Sequence, residues 1–101
     1  MAEEDIYLLI QSRKDEIDRL AKSYGASHIR IFGSVARHTA DARSDIDFLV
    51  DLAPGKTLFD LGGLSYDLSR LLGRNVDVCT LPLLREPIRA RVLAEAVPVF
   101  L

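Results

Sequence analysis

Two aspartates stand two residues apart at the start of a short apolar segment, in the stretch Ser44-Asp45-Ile46-Asp47. Side chains alternate along a β-strand, so Asp45 and Asp47 point to one face and Ile46 to the other. Neighbouring carboxylates repel each other and raise each other's pKa, and a divalent cation between them removes that conflict. Oxygen ligands favour Mg²⁺, which commonly lies between a few carboxylates and a substrate phosphate. The pair therefore predicts a magnesium site.

A third acid, Asp77, lies between two valines on another predicted strand. If the two strands are neighbours in a sheet, Asp45, Asp47 and Asp77 meet at one place. Three such carboxylates can hold two metal ions roughly 3.5–4 Å apart, the arrangement that stabilises the attacking and leaving oxygens in phosphoryl transfer. We therefore predict that these three aspartates are catalytic metal ligands for two Mg²⁺ ions.

The dipeptide Gly33-Ser34 follows another predicted strand. A glycine lets the backbone approach a ligand closely, and the short helix that follows offers free N–H groups to an anion. Ser34 adds a hydroxyl, so a phosphate tail bound there would face the metal site. Each feature alone is weak, because a Gly-Ser pair is usually only a turn and a single aspartate is often a cap or an ion-pair partner. Their combination, in this order along the chain, is specific and predicts phosphoryl-transfer chemistry.

The elements that carry these residues follow from hydrophobic periodicity and from turn signals. They predict an α/β (α+β) fold of order α-β-α-β-α-β-α, with a small mixed β-sheet and helices packed on one face, in a single domain over residues 1–101. The predicted helices cover 3–23, 34–37, 57–72 and 87–96, the predicted strands cover 28–32, 45–52 and 74–80, and 97–100 is open to a short final strand.

Composition excludes several classes of protein. The chain has 101 residues, 49% of them hydrophobic, which is enough for one core, and a net charge of −2 without a long basic block, so strong nucleic-acid binding is not expected. A single cysteine, Cys79, permits no internal disulfide and is expected to pack. No apolar run approaches bilayer length and the N-terminus is acidic, so a cytoplasmic protein without membrane contact is expected.

The stretch GSVARHTADARSDIDFLV, with VDV about thirty residues beyond it, resembles the DNA polymerase β-type nucleotidyltransferase superfamily. It is most similar to the minimal nucleotidyltransferases (MNT) of bacteria and archaea. The resemblance covers nearly the whole chain and implies a nucleotidyltransferase palm. It implies that Gly33, Ser34 and Arg37 bind the nucleotide, that Asp45 and Asp47 bind metal, and that Asp77 completes the metal site and helps to deprotonate the acceptor hydroxyl.

One position departs from the family's Gly-Ser-x-Ala-Arg-Gly run, because His38 stands where glycine is usual. The departure concerns the conformation of the loop rather than the metal ligands. His38 is interpreted as a loop residue, since Asp77 can serve as the base. Asp51 shares a strand face with Asp47 but lies about 13 Å along the strand, and it is interpreted as a strand-end acid.

The chain is too short to carry a polymerase's fingers and thumb beside a palm, so its acceptor must be bound mainly by another molecule. The resemblance implies a small helical HEPN partner, a ribonuclease toxin silenced by transfer of AMP from ATP, or another nucleoside triphosphate, to a tyrosine; the chain would then be the antitoxin. Two alternatives stay open. A binding module with a vestigial site could neutralise the toxin by contact, and a metal-dependent nuclease would share the carboxylates but leave Gly33-Ser34 unexplained.

Overall fold

The structure is a computed structural model that describes residues 2–41 and 43–99. It consists of a four-stranded β-sheet with helices packed against it. The strands are β1 (Ala26–Phe32), β2 (Ile46–Leu52), β3 (Val76–Cys79) and β4 (Val97–Pro98). The helices are α1 (Ala2–Ser12), α2 (Lys14–Ser23), α3 (Gly33–Ala36), α4 (Leu58–Leu72) and α5 (Ile88–Glu95), and a 3₁₀ turn covers Leu81–Leu83.

The sheet is mixed, as predicted, and its strand order is β3-β2-β1-β4. β1 runs antiparallel to β2 and to β4, whereas β2 and β3 are parallel. Parallel neighbours need a long crossover, and α4 supplies it between β2 and β3. The acid-bearing strands are therefore direct neighbours.

One face of the sheet carries the main hydrophobic core. Ile46, Phe48 and Val50 alternate along β2 and are all buried, against apolar residues of α1, α2 and α4. Leu49 points to the opposite face and is also fully buried, outside the main cluster, so that face is covered at this point as well. Within the described residues, no helix is long and apolar enough to cross a bilayer.

The prediction of one continuous helix over 3–23 is wrong, because α1 and α2 are separate. The break is at Arg13, whose backbone (φ −111°, ψ 14°) leaves the helical region. Ile10 and Ile17 are nevertheless completely buried on the two sides of the break. The apolar stripe therefore continues through the break, and because no glycine or proline marks Arg13, the pattern could not reveal it.

Other boundaries shift by a few residues. β1 begins earlier than predicted, β3 is shorter, the 3₁₀ turn was not predicted, and Pro87 precedes the first turn of α5 instead of lying in it. The predicted bounds of α4 hold to within one residue: Thr57 caps its start together with Asp60, and Gly73 ends it with φ +67°. The final strand is limited to β4, and Phe100, the end of the expected segment, lies outside the described residues.

Candidate active site

Parallel pairing of β2 and β3 brings the predicted acids together at one end of the two strands. Asp47 and Asp77 are register partners, and their side chains therefore stand on the same face of the sheet. Asp45 lies just before β2, two residues from Asp47. Asp45 and Asp77 are exposed, whereas Asp47 is half-buried between them and the adjoining loop. All three predicted metal ligands are thus neighbours.

The crowding of the three aspartates changes the pKa of Asp47. Burial, followed by the negative charges of Asp77 and Asp45, raises the pKa of Asp47 to about 6. Within residues 2–41 and 43–99, no group of three His, Cys, Asp or Glu side chains is arranged to hold a metal ion as it stands. The donor chemistry nevertheless fits Mg²⁺, because hard oxygen donors of like charge are neighbours where β2 and β3 begin.

Gly33 places the turn after β1 directly against this acid. Its φ is +73°, a conformation that L-residues rarely adopt, and a Cβ at this position would collide with Oδ2 of Asp47. Both the backbone conformation and the available space therefore require glycine. The predicted phosphate turn and the predicted metal ligand lie side by side.

Ser34 and Arg37 follow on α3 and in the residue after it. The backbone oxygen of Ser34 accepts a hydrogen bond from the Thr39 amide at 2.9 Å, which closes the loop behind the half-buried serine. The exposed Arg37 donates to Glu95 through Nη1, with distances of 2.7 and 3.1 Å to the two carboxylate oxygens. The nucleotide-binding residues implied by the resemblance are therefore grouped, and a carboxylate is already bound to one of them.

Glu95 belongs to the candidate site, although the sequence analysis did not predict a role for it. Its Oε2 also accepts a hydrogen bond from the backbone N–H of Gly33, at 3.2 Å. A signal was present, because Glu95 is the last residue of α5, where the helix dipole disfavours a negative charge. An acid at that position needs compensation from another part of the protein.

Two serines of α4 that had no predicted role support the strand that carries Asp77. Ser69 Oγ accepts a hydrogen bond from the Val76 amide at 3.1 Å, and Ser65 Oγ donates one to the Val76 carbonyl. β3 is an edge strand, so these backbone groups have no neighbouring strand to pair with. The serines satisfy them and fix the residue that precedes Asp77. Their spacing of four residues, beside buried leucines, was the available signal.

Arg74, which also had no predicted role, holds the loop that leads to Asp45. Its Nη2 donates to the backbone oxygens of Asp41 and Ser44, at 2.9 and 2.7 Å. Asp41 in turn accepts hydrogen bonds from the Arg43 amide and the Ser44 hydroxyl, and these, with the Arg43 bond first, lower the pKa of Asp41. The approach to Asp45 is therefore a fixed turn.

His38 and Cys79 behave as the sequence suggested. His38 adopts φ +61°, which explains why glycine is usual at this position in the family, and its ring packs against Tyr7. Burial, and then the charges of Asp47 and Asp77, raise the pKa of the Cys79 thiol to about 11. The thiol stays protonated near neutral pH, which agrees with a packing role.

Comparison with known proteins identifies relatives that are named as protein adenylyltransferases. A Methanocaldococcus jannaschii protein provisionally named as a protein adenylyltransferase is 40% identical over 90 residues, which are 89% of this chain and 97% of that protein. The protein adenylyltransferase MntA of Thermococcus cleftensis is 34% identical, over 93% of this chain and 92% of that protein.

Solved structures agree with the fold. A minimal nucleotidyltransferase, provisionally named as such, superposes with a TM-score of 0.80 at 38% identity, over 97% of this chain and 96% of that chain. A complex described as a tri-AMPylated Shewanella oneidensis HEPN toxin with an MNT antitoxin matches with a TM-score of 0.68 at 20% identity, over 90% of this chain and 71% of that chain, and it supports the fold alone. The sequence model described as "Nucleotidyltransferase domain" matches residues 13–99, and the chain therefore belongs to the nucleotidyltransferase domain family of enzymes.

Proposed function

We propose that this protein is a Mg²⁺-dependent adenylyltransferase that moves AMP from ATP to a hydroxyl group of a partner protein. One observation carries the proposal: the crowded carboxylate of Asp47 lies against the Gly33 turn and beside Asp77. A site that only bound a partner by contact would not need three crowded carboxylates next to a glycine with a left-handed backbone. The names of the relatives agree with this reaction.

In the proposed site, Asp45, Asp47 and Asp77 hold the metal, with up to two ions. Mg²⁺ would neutralise these carboxylates and the phosphate oxygens and so stabilise the charge that develops during transfer. Gly33, Ser34 and Arg37 would hold the triphosphate through a backbone N–H, a hydroxyl and a guanidinium. These are the donor types that bind phosphate oxygens most strongly.

The proposed reaction is a displacement at the α-phosphorus of ATP. The oxygen of the acceptor hydroxyl forms a bond to that phosphorus, the bond from the phosphorus to the oxygen that bridges to the β-phosphate breaks, and pyrophosphate leaves. Asp77 accepts the hydroxyl proton, for which it must lie within hydrogen-bond reach. Its exposure at the edge of the sheet leaves it accessible to an acceptor brought by another molecule.

The acceptor in this proposal is a tyrosine of a HEPN-type helical protein, which makes this chain the antitoxin of a pair. The sequence has no tryptophan and no long basic block, so it offers little to hold a nucleic-acid acceptor. The Shewanella oneidensis complex is described as an AMPylated HEPN toxin with its MNT antitoxin, and we extend that pairing to this chain. The proposed location is the cytoplasm, where ATP and Mg²⁺ are available.

The test is incubation of the protein with ATP, Mg²⁺ and a purified HEPN-type protein, followed by intact mass spectrometry of that partner. We expect added AMP units, pyrophosphate release, and no addition with Asp47→Asn or with chelator. Asp51→Asn, on the same strand face, is the matched control and should still transfer AMP. A partner that stays unmodified, yet is inhibited equally by the Asp47→Asn protein, would establish the alternative of a contact-only antitoxin.

A further inference from the structure

An acidic side chain occupies the group of donors that should receive the phosphate tail. The carboxylate of Glu95 accepts hydrogen bonds from the Gly33 N–H and from Nη1 of Arg37. We call these two donors the cradle. The contact joins α5 to the turn after β1 across about sixty residues of chain, so it depends on the tertiary fold and is not a local helix pair.

Burial distinguishes this contact from an ordinary surface ion pair. The Glu95 side chain is 15% exposed, against 50% for Arg37, so the carboxylate is the enclosed partner. Its negative charge also acts on Asp47 and adds to that of Asp77 and Asp45, so Glu95 belongs electrostatically to the same crowded site. The attraction of the cradle for an anion is what makes this position favourable for Glu95.

A phosphate oxygen needs the same two donors. A backbone N–H offers one hydrogen bond, and a guanidinium fork that binds one carboxylate through Nη1 cannot direct that nitrogen at a second anion with the same geometry. Glu95 and a bound phosphate are therefore mutually exclusive at the Gly33 N–H, and they would also repel each other electrostatically.

We propose that Glu95 is a placeholder anion and a specificity-determining residue of the nucleotide site, an inference that rests on the proposed function. A ligand can use the cradle only by displacing Glu95, which a multiply charged triphosphate tail can do and a nucleoside without a tail has no means to do. After transfer, the return of Glu95 to the cradle competes with the bound pyrophosphate and favours its release. Nucleotide binding is thus an exchange of one anion for another.

The experiment is calorimetric titration of wild-type protein and Glu95→Gln with three ligands in Mg²⁺ buffer: α,β-methylene ATP, which cannot undergo transfer, inorganic pyrophosphate, and adenosine. Glutamine keeps the size of the side chain and can still accept the Gly33 hydrogen bond, but it removes the competing charge. We expect roughly three- to tenfold tighter binding of the two ligands with a tail, the range set by partly exposed ion pairs. Adenosine binding should not change.

Glu86→Gln is the matched control. Glu86 is exposed just before α5 and accepts a hydrogen bond from the Ala90 amide, away from the cradle, so the variant removes the same charge without touching the site. Its affinities should equal those of the wild type. Glu95→Asp, with a carboxylate shorter by one methylene, is the second variant if Glu95→Gln is poorly folded, and it should tighten pyrophosphate binding by a smaller factor.

The outcomes separate this inference from the proposed function. Binding that is unchanged or weaker in both Glu95 variants, while Gly33→Val abolishes binding, would overturn the placeholder and leave the nucleotide site intact. If Glu86→Gln bound the two ligands equally more tightly, the change in net charge alone would explain the effect. That result would also overturn the inference. If Gly33→Val binds α,β-methylene ATP like the wild type, the nucleotide lies elsewhere and the proposed site fails together with the inference.

Discussion

The two ends of one face of β2 carry the same residue type in opposite electrostatic settings. At the far end, Asp51 accepts from Nη2 of Arg30 at 3.0 Å and lies 2.9 Å from Nδ1 of His28. At the near end, Asp47 faces Asp77 and Asp45, and no cation lies within salt-bridge distance of it among the described residues. The nearby guanidinium of Arg37 is bound to Glu95 instead.

Local backbone geometry reinforces the contrast. The pairing of β1 with β2 is interrupted between Ser27 and Arg30, and His28 in that interruption has φ +52°. Such a bulge re-aims a side chain, here towards Asp51. At the other end, the left-handed backbone at Gly33 brings a turn, rather than a cationic side chain, into contact distance of Asp47. Asp51, with its charge compensated, acts as a structural feature of the sheet, whereas the crowded aspartates beside the Gly33 turn are the feature on which we base the proposed metal site.

The largest expected effect tests the functional side of this comparison. Asp47→Asn should reduce AMP transfer by a factor on the order of a thousand, because the proposed metal site loses the carboxylate that lies against the Gly33 turn. Asp51→Asn should retain transfer within a few-fold, although it lies on the same face of the same strand. Initial rates of pyrophosphate release at saturating ATP measure both variants. Similar losses in the two variants would break the distinction between the two ends of β2.

A smaller effect tests the packing of the turn against Asp47. Gly33→Ala should destabilise the fold by about 3 kcal/mol, since it combines left-handed strain with displacement of a half-buried carboxylate. The control is Gly55→Ala, at φ +88° with open space around it, which should cost only the backbone strain of about 1 kcal/mol. Urea denaturation of the two variants measures the difference. Equal losses would mean that the added methyl group does not meet Asp47.

The smallest expected effect tests the electrostatic difference between the two ends of β2. It is the pH dependence of folding stability in the absence of metal. The pKa of Asp47 is raised from 3.8 to about 6, so the folded protein binds this proton more tightly than the unfolded chain, and this contribution to stability falls as pH rises from about 4 to 6. Asp47→Asn removes the titration. It should be more stable than the wild type above about pH 6, and the difference should disappear as pH falls towards 4.

Thermal melts in chelator from pH 4 to 8 measure this difference, with Asp51→Asn as the contrasting variant. Asp51→Asn loses two partly exposed ionic contacts and should be slightly less stable than the wild type at pH 7, by less than about 1 kcal/mol. A melting temperature of Asp47→Asn below that of the wild type at pH 8 would show that Asp47 has a compensating partner in solution.

Much of the fold could be predicted because the relevant signals are local. Alternation in Ile46–Leu52, the cap at Thr57 and the stop at Gly73 each depend on neighbours within a few residues, and each corresponds to an observed element. The break at Arg13 could not be predicted, because no glycine or proline marks it and the buried apolar stripe continues through it. The grouping of Asp45, Asp47 and Asp77 was predictable once their strands were assumed to be neighbours, and the structure pairs those strands in parallel.

By itself, the sequence determined which groups could do chemistry: two carboxylates at alternate positions of one strand, a third on a later strand, and a Gly-Ser pair at a strand end. The tertiary structure alone decided which charges meet. It paired Asp51 with Arg30 and His28, and among the described residues it left no cation within salt-bridge distance of Asp47. It also placed Glu95 on the donors of Gly33 and Arg37, and it supported Val76 with Ser65 and Ser69. The physical reason is range: periodicity and capping act over a few residues, whereas ion pairs and edge-strand hydrogen bonds join segments that only the finished fold brings within 3 Å or so of each other.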